Sequence, residues 1–176
     1  MTADLFESVA DALPSREEMA EGAVLLRGFA RPFDSELIAA LRDIAGRAPF
    51  RHMMTPGGHS MSVAMTNCGS LGWVTDRTGY RYDANDPEAG RPWPAMPPLF
   101  RELAGRAADR AGFEGFSPDA CLVNRYLPGA RMSLHQDKDE DDFGAPIVSV
   151  SLGLSAIFPF WRIEAQRQGA PVSAGA

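Results

Sequence analysis

Three features of the sequence predict an α+β chain whose short strands form a double-stranded β-helix, or jelly-roll, supported by N-terminal helices. Short alternating apolar runs are separated by Gly and Pro turns, as in all-β layers. Two stretches with helical apolar spacing stand ahead of the later strands. With 176 residues and 45% hydrophobic content, the chain is long enough for one sizeable core, and it shows no repeat and no linker.

The net charge of −6 argues against broad, charge-driven binding to nucleic acid, which depends on Lys and Arg neutralising phosphates, but it leaves room for a local basic groove. Cys68 and Cys121 form no CxxC pair and no zinc-type spacing. The first residues lack a basic region followed by an apolar one, and no apolar run reaches the length of a membrane span. A reducing, cytoplasmic setting is the simplest reading, with no membrane partner and a monomeric state.

Taken in order, residues 4–13 have mixed helical spacing and stop at Pro14, which predicts a short amphipathic helix. Ala23 to Phe29 reads as a strand. Asp34 or Ser35 can cap a helix over Glu36 to Ala45, with Leu37, Ile38, Leu41 and Ile44 on its apolar face. Between Arg51 and Asn67 a Pro56-Gly57-Gly58 turn followed by alternation predicts a hairpin. His52 and His59 flank that turn and are expected to be ordinary surface or hydrogen-bonding residues.

From Cys68 to Pro98, Trp73, Tyr80, Tyr82 and Trp93 are interleaved with Arg77, Arg81 and Arg91 among many Gly and Pro residues. Such aromatics on loops suit base stacking and phosphate contact. Pinning of an irregular loop to the core explains the composition equally well. Pro97 and Pro98 suit the first turn of a helix to Ala111, with Leu99, Leu103 and Ala107 buried and Gly112 ending it. Strands are expected over Asp119 to Tyr126, around His135 beside it, and over Pro146 to Leu154.

The chemistry concentrates between Asn124 and Glu140. His135 and Asp137 are separated by one residue, and on an extended strand side chains at i and i+2 leave on the same face. An imidazole and a carboxylate so placed are two ligands of the facial triad that binds non-haem Fe(II), with the third supplied from elsewhere. On its own, such a pair more often marks a surface hydrogen bond. The acidic run from Asp137 to Asp142 is not a calcium loop of EF-hand type, because its sixth and twelfth positions are Asp142 and Val148 instead of Gly and Glu.

The motifs Pro56-Gly57-Gly58, Met61 to Gly69, Leu71-Gly72-Trp73, Pro92 to Pro97, Asn124-Arg125-Tyr126 and Leu134 to Glu140 together make the chain resemble the AlkB family of Fe(II)/2-oxoglutarate-dependent dioxygenases, over most of residues 20–160. The resemblance implies that His135 and Asp137 ligate iron and that Asn124 and Tyr126 hydrogen-bond 2-oxoglutarate. It places Met65, Trp73, Tyr80 and Asp139 where the family grips a damaged base, which Trp73 and His135 would sandwich. Thr55 and Arg77 match positions near the nucleic-acid backbone, and His59 replaces an expected aromatic hydroxyl. The implied reaction couples O2 and the oxidative decarboxylation of 2-oxoglutarate to succinate with hydroxylation of an N-linked methyl group, which leaves as formaldehyde. The implied substrates are 1-methyladenine and 3-methylcytosine in single-stranded DNA or RNA, or a base flipped from a duplex.

After Phe160 the similarity stops. Residues 161–176 fit no family strand, and the distal iron-binding histidine and the arginines that clamp 2-oxoglutarate are not found there; Arg162 and Arg167 lack strands to aim them. Permitted codons for the tail, read with the first base removed, give Gly-Gly-Leu-Lys-Arg-Ser-Asp, which resembles the family's continuation. The expectation is therefore a dioxygenase domain over 1–160, truncated by a frameshift, and a tail over 161–176. Such a chain is expected to be poorly stable, with unpaired strand edges, and impaired in turnover. The rival readings are a non-catalytic nucleic-acid-binding remnant and a dioxygenase of the same fold acting on a protein or metabolite.

Overall fold

The computed structural model describes residues 15–132, 142 and 144–154. It opens on an antiparallel hairpin, β1 (Ser15–Ala20) with β2 (Ala23–Arg27), turned at Gly22 with φ +77°. The sequence reading anticipated β2 and missed β1, whose charged residues are almost all exposed and carry no apolar alternation. The helix expected over 4–13 lies outside the described residues.

Helix α1 spans Asp34–Arg47 and buries Leu37 and Ile44, with Asp34 and Glu36 in its first turn and Arg47 in its last, each sign matching the helix dipole. The expected side-chain cap is corrected: a 3-10 turn over Arg31–Phe33 runs directly into the helix, so Asp34 is already helical and Phe33 holds the cap position with no side-chain hydrogen bond. Ile38 is also corrected, being exposed beside the buried stripe.

The Pro56-Gly57-Gly58 turn forms as expected: the Gly58 amide donates to the Thr55 carbonyl, the Thr55 amide to His59, and the Met61 amide to Met53. It leads into β3 (Ala64–Gly69), the most buried strand, whose first five residues are all inaccessible. β3 pairs antiparallel with β8 (Ala120–Arg125), Met65 opposite Asn124 and Cys68 opposite Cys121. On its other edge Met65 exchanges both backbone hydrogen bonds with Arg51, so Arg51, Met65 and Asn124 form one row across the sheet.

The Cys68 to Pro98 stretch is not the loop expected. Trp73, Tyr80 and Tyr82 sit on a hairpin, β4 (Gly72–Asp76) with β5 (Gly79–Asp83), followed by the short pair β6 (Asn85–Asp86) and β7 (Arg91–Pro92). Aromatic and β-branched residues favour this pleated, half-buried setting, and the Gly79 backbone, at φ +130°, closes the turn. Helix α2 (Pro98–Ala111) starts at Pro98 and ends at Gly112 with φ +100°, as the sequence predicts, but of the expected stripe only Leu103 is buried: Leu99 and Ala107 are half-buried, and Ala108 is buried instead.

Two apolar clusters lie on opposite sides of β3. Ala48, Met53, Val63, Met65, Val74 and Trp93 form one, with Trp73, Leu122 and Met132 against it; Ile44, Cys68 and Met96 form the other, against Phe100 and Cys121. The strand expected over Pro146 to Leu154 is corrected: no ladder forms over its described residues, and Ile147, Val150 and Leu154 are exposed. Alternation alone does not make a strand without a neighbour to accept its backbone hydrogen bonds.

Candidate active site

Asn124 and Tyr126 project from the end of β8. Asn124 lies on the strand and Tyr126 one residue past it, both exposed, and neither side chain has a hydrogen-bond partner among the described residues. Partial burial raises the Tyr126 phenol above its ordinary pKa, so its hydroxyl stays a donor. An amide and a phenol offered in this way are neutral donors for a carboxylate.

Met65, directly opposite Asn124, is wholly buried and forms the floor of the site. Above that floor Trp73 packs against the same cluster and stacks on Tyr80, ring centroids 5.6 Å apart at 24°. The two rings are diagonal neighbours on one face of the β4–β5 hairpin, the spacing at which long aromatic side chains still meet. Tyr80 is about half exposed, which leaves an aromatic surface open to solvent.

What aims Trp73 is a residue that sequence reasoning did not single out. Asn67, buried on the same face of β3 as Met65, donates from Nδ2 to the Trp73 carbonyl and accepts the Trp73 amide at Oδ1, both at 3.0 Å. Its carboxamide replaces a strand neighbour and joins β4 to β3. Gly72 adds to this, because a Cβ there would run into the indole of Trp93 and the Asn67 side chain. Trp93 is itself held by its indole N–H to the Asp83 carbonyl at 3.0 Å and by the Arg51 guanidinium over its ring at 5.2 Å. An Asn four residues before a Leu-Gly-Trp turn is the signal that could have found this clamp.

The proposed backbone contacts are divided by the structure. Arg77 is exposed at the β4–β5 turn with no partner among the described residues, whereas Arg81 is paired with Asp76 at 2.9 Å and Arg91 donates to the Arg47 carbonyl. Of the three arginines expected to meet phosphate, the latter two are thus committed internally. Asp76 braces the turn: hydrogen bonds from the Thr78 hydroxyl and amide, and then Arg81, hold its carboxyl down at about 2. Thr55 sits in the neighbouring turn, its hydroxyl accepting the His59 amide at 3.2 Å. His52 meets the Met61 carbonyl through Nδ1 at 2.8 Å, in line with a hydrogen-bonding role.

Ser62, also unanticipated, donates to the Arg131 carbonyl at 2.8 Å and accepts the Arg131 amide at 3.3 Å. This fixes the chain leaving β8 just ahead of residues 133–141, and a cavity of about 190 Å³ lies there between Thr55, Met61, Val63 and Met132. His135, Asp137 and Asp139 lie outside the described residues. Among the described residues no three His, Cys, Asp or Glu converge as a metal site. The imidazole and carboxylate of His135 and Asp137 suit Fe(II) in chemical type as two of its ligands.

Beside this geometry, a stacked aromatic hairpin over a buried sheet with neutral hydrogen-bond donors at the sheet edge, the sequence profile of the 2OG-Fe(II) oxygenase superfamily matches residues 22–173. The chain is 60% identical over 157 residues to the Alpha-ketoglutarate-dependent dioxygenase AlkB of Escherichia coli (strain K12), covering 89% of this chain and 71% of that protein. It is 34% identical over 88 residues to the Nucleic acid dioxygenase ALKBH1 of Mus musculus, covering 50% of this chain and 22% of that one. In three dimensions it matches the solved structure of OsALKBH1 with a TM-score of 0.61 and 24% identity, over 72% of this chain and 62% of the other. The chain therefore belongs to the AlkB-like dioxygenases of the 2OG-Fe(II) oxygenase superfamily, a class of enzymes whose fold is the jelly-roll.

Proposed function

We propose that the chain carries out oxidative demethylation of N-alkylated bases, 1-methyladenine and 3-methylcytosine, in single-stranded DNA or RNA, acting as a cytoplasmic monomer. The observation that carries this reading is the Trp73–Tyr80 stack, half open to solvent and clamped by Asn67 beside the β3–β8 edge. It agrees with the nucleic-acid dioxygenase name of the mouse relative.

His135 and Asp137 would hold the iron, and Asn124 and Tyr126 would donate hydrogen bonds to 2-oxoglutarate. With these groups bound, one oxygen atom of O2 ends in succinate and the other in an N-hydroxymethyl group, which collapses to formaldehyde and the bare base. The protein's own part is to bind and orient. Trp73 offers its π face to a cationic methylated base, and Asp139 adds a negative charge nearby. Met65 closes the bottom of the pocket, Arg77 meets phosphate and Thr55 lines the approach of the backbone. A target in duplex DNA would first be flipped out of the stack.

Turnover by residues 1–176 as they stand is proposed to be impaired. The sequence has three histidines, and His52, bonded to Met61, and His59, just past its turn opposite Thr55, sit on a separate segment. That observation favours one rival, a nucleic-acid binder without turnover. Formaldehyde and succinate release from a methylated oligonucleotide, with Fe(II) and 2-oxoglutarate supplied, tests both. Slow release abolished by His135→Ala and Asp137→Ala supports the enzyme; tight binding with no release above the two variants supports the binder.

A further inference from the structure

The strand pair that carries the site on one face carries two thiols on the other. Cys68 of β3 stands directly opposite Cys121 of β8, and both are free. Cys68 is wholly inaccessible among Ile44 and Met96, while Cys121 is only half-buried. The backbones of Met65 and Gly69 turn outward, to Arg51 and Pro94, so in the alternation of an antiparallel ladder Cys68 takes a hydrogen-bonded position against β8. Opposed Cα atoms at such positions are about 5.5 Å apart, which is within the usual range for a disulfide.

The two thiols also differ in the way a reactive pair requires. A hydrogen bond between them, with burial adding to it, raises Cys68; the same bond lowers Cys121 against the opposing effect of its burial. Cys68 is thus the proton donor, and Cys121, the accessible one, is the more acidic of the two and the one placed to act as nucleophile.

We infer that Cys68 and Cys121 form a reversible modification site, a dithiol that hydrogen peroxide converts to a disulfide on the helix-facing side of the sheet. The Cys121 thiolate attacks one peroxide oxygen, the O–O bond breaks, and sulfenic Cys121 and hydroxide result. The Cys68 sulfur then attacks the sulfenic sulfur; the S–O bond breaks, and the displaced hydroxide leaves as water with the Cys68 proton. Two thiols are oxidised by two electrons and one peroxide is reduced to two waters. The new bond ties β3 to β8 and closes a long loop, while Met65 and Asn124 stay on the opposite face.

The test treats the folded, metal-free chain with hydrogen peroxide in the presence of a chelator and maps the peptides by mass. The expected product has lost two hydrogens, with the peptide containing Cys68 joined to the peptide containing Cys121. Dithiothreitol should restore it, and the oxidised chain should unfold at higher denaturant concentration than the reduced one. In Cys68→Ser, and in Cys68→Ala should the first fold poorly, Cys121 should gain one oxygen that dimedone traps. Peroxide that leaves both thiols intact in the folded wild type, or that drives Cys121 to sulfinic acid with no cross-link, overturns the inference.

Discussion

The carboxamide of Asn67 binds both the N–H and the C=O of Trp73, each at 3.0 Å, although the two residues lie on strands that share no ladder. Asn67→Ala leaves that amide and carbonyl without their partners and is expected to cost about 2 kcal/mol of stability. Because the clamp also aims Trp73, KM for a methylated oligonucleotide should rise more than kcat falls. Equal losses in both, or a denaturant midpoint unchanged from wild type, would count against the clamp.

Removing the open aromatic surface has a different signature. Trp73→Ala should weaken binding of a methylated single strand by about 2 kcal/mol, the typical value of one base stacked on a ring, or roughly 30-fold in Kd. Tyr80→Ala, which removes the ring behind Trp73, should lose less. Titration calorimetry measures both, and Tyr80→Ala should change stability little because Tyr80 is about half exposed.

Gly72→Ala tests how closely the hairpin is packed. The added methyl meets the Trp93 indole and the Asn67 side chain, so about 2 kcal/mol of destabilisation is expected from overpacking. Chemical denaturation reads it directly; a variant as stable as wild type would mean that Trp93 can move aside freely.

A fourth expectation concerns acid. Asp86 is buried, which pushes its carboxyl up, but hydrogen bonds from Arg51 and from the amides of Glu88 and Ala89 outweigh this and leave it below its ordinary 3.8. A folded value below the unfolded one contributes stability that is present above the ordinary value and lost as pH falls through the folded value. Wild type should therefore lose stability below about pH 4, and Asp86→Asn should show a flatter curve there. At neutral pH the same substitution removes the buried partner of Arg51 and leaves it only the exposed Glu88 carboxylate at 3.3 Å, which should cost about 3 kcal/mol.

Local signals were legible in the sequence where they were also sufficient. Pro98 and Gly112 bracket α2 because a missing N–H and a positive φ each have a fixed place on a helix. The Pro56-Gly57-Gly58 turn likewise follows from backbone chemistry. The family was legible through motifs spread over the chain, not through any single spacing. What escaped depended on partners distant in sequence. β1 is a strand only because β2 pairs with it; Pro146 to Leu154 has the right alternation, yet no ladder forms over its described residues. Asn67 and Ser62 look like ordinary polar residues until the fold brings Trp73 and Arg131 to them.

The contrasting settings of two tryptophans make the molecule its own optical reporter. Trp93 is buried with its indole N–H bonded to Asp83, whereas Trp73 is half-buried on Tyr80. The third, Trp161, can be replaced by Phe. In that background the emission of Trp93 should follow unfolding and, on the proposed function, quenching of Trp73 should follow the arrival of a base, so occupancy and integrity can be read from one cuvette without a label.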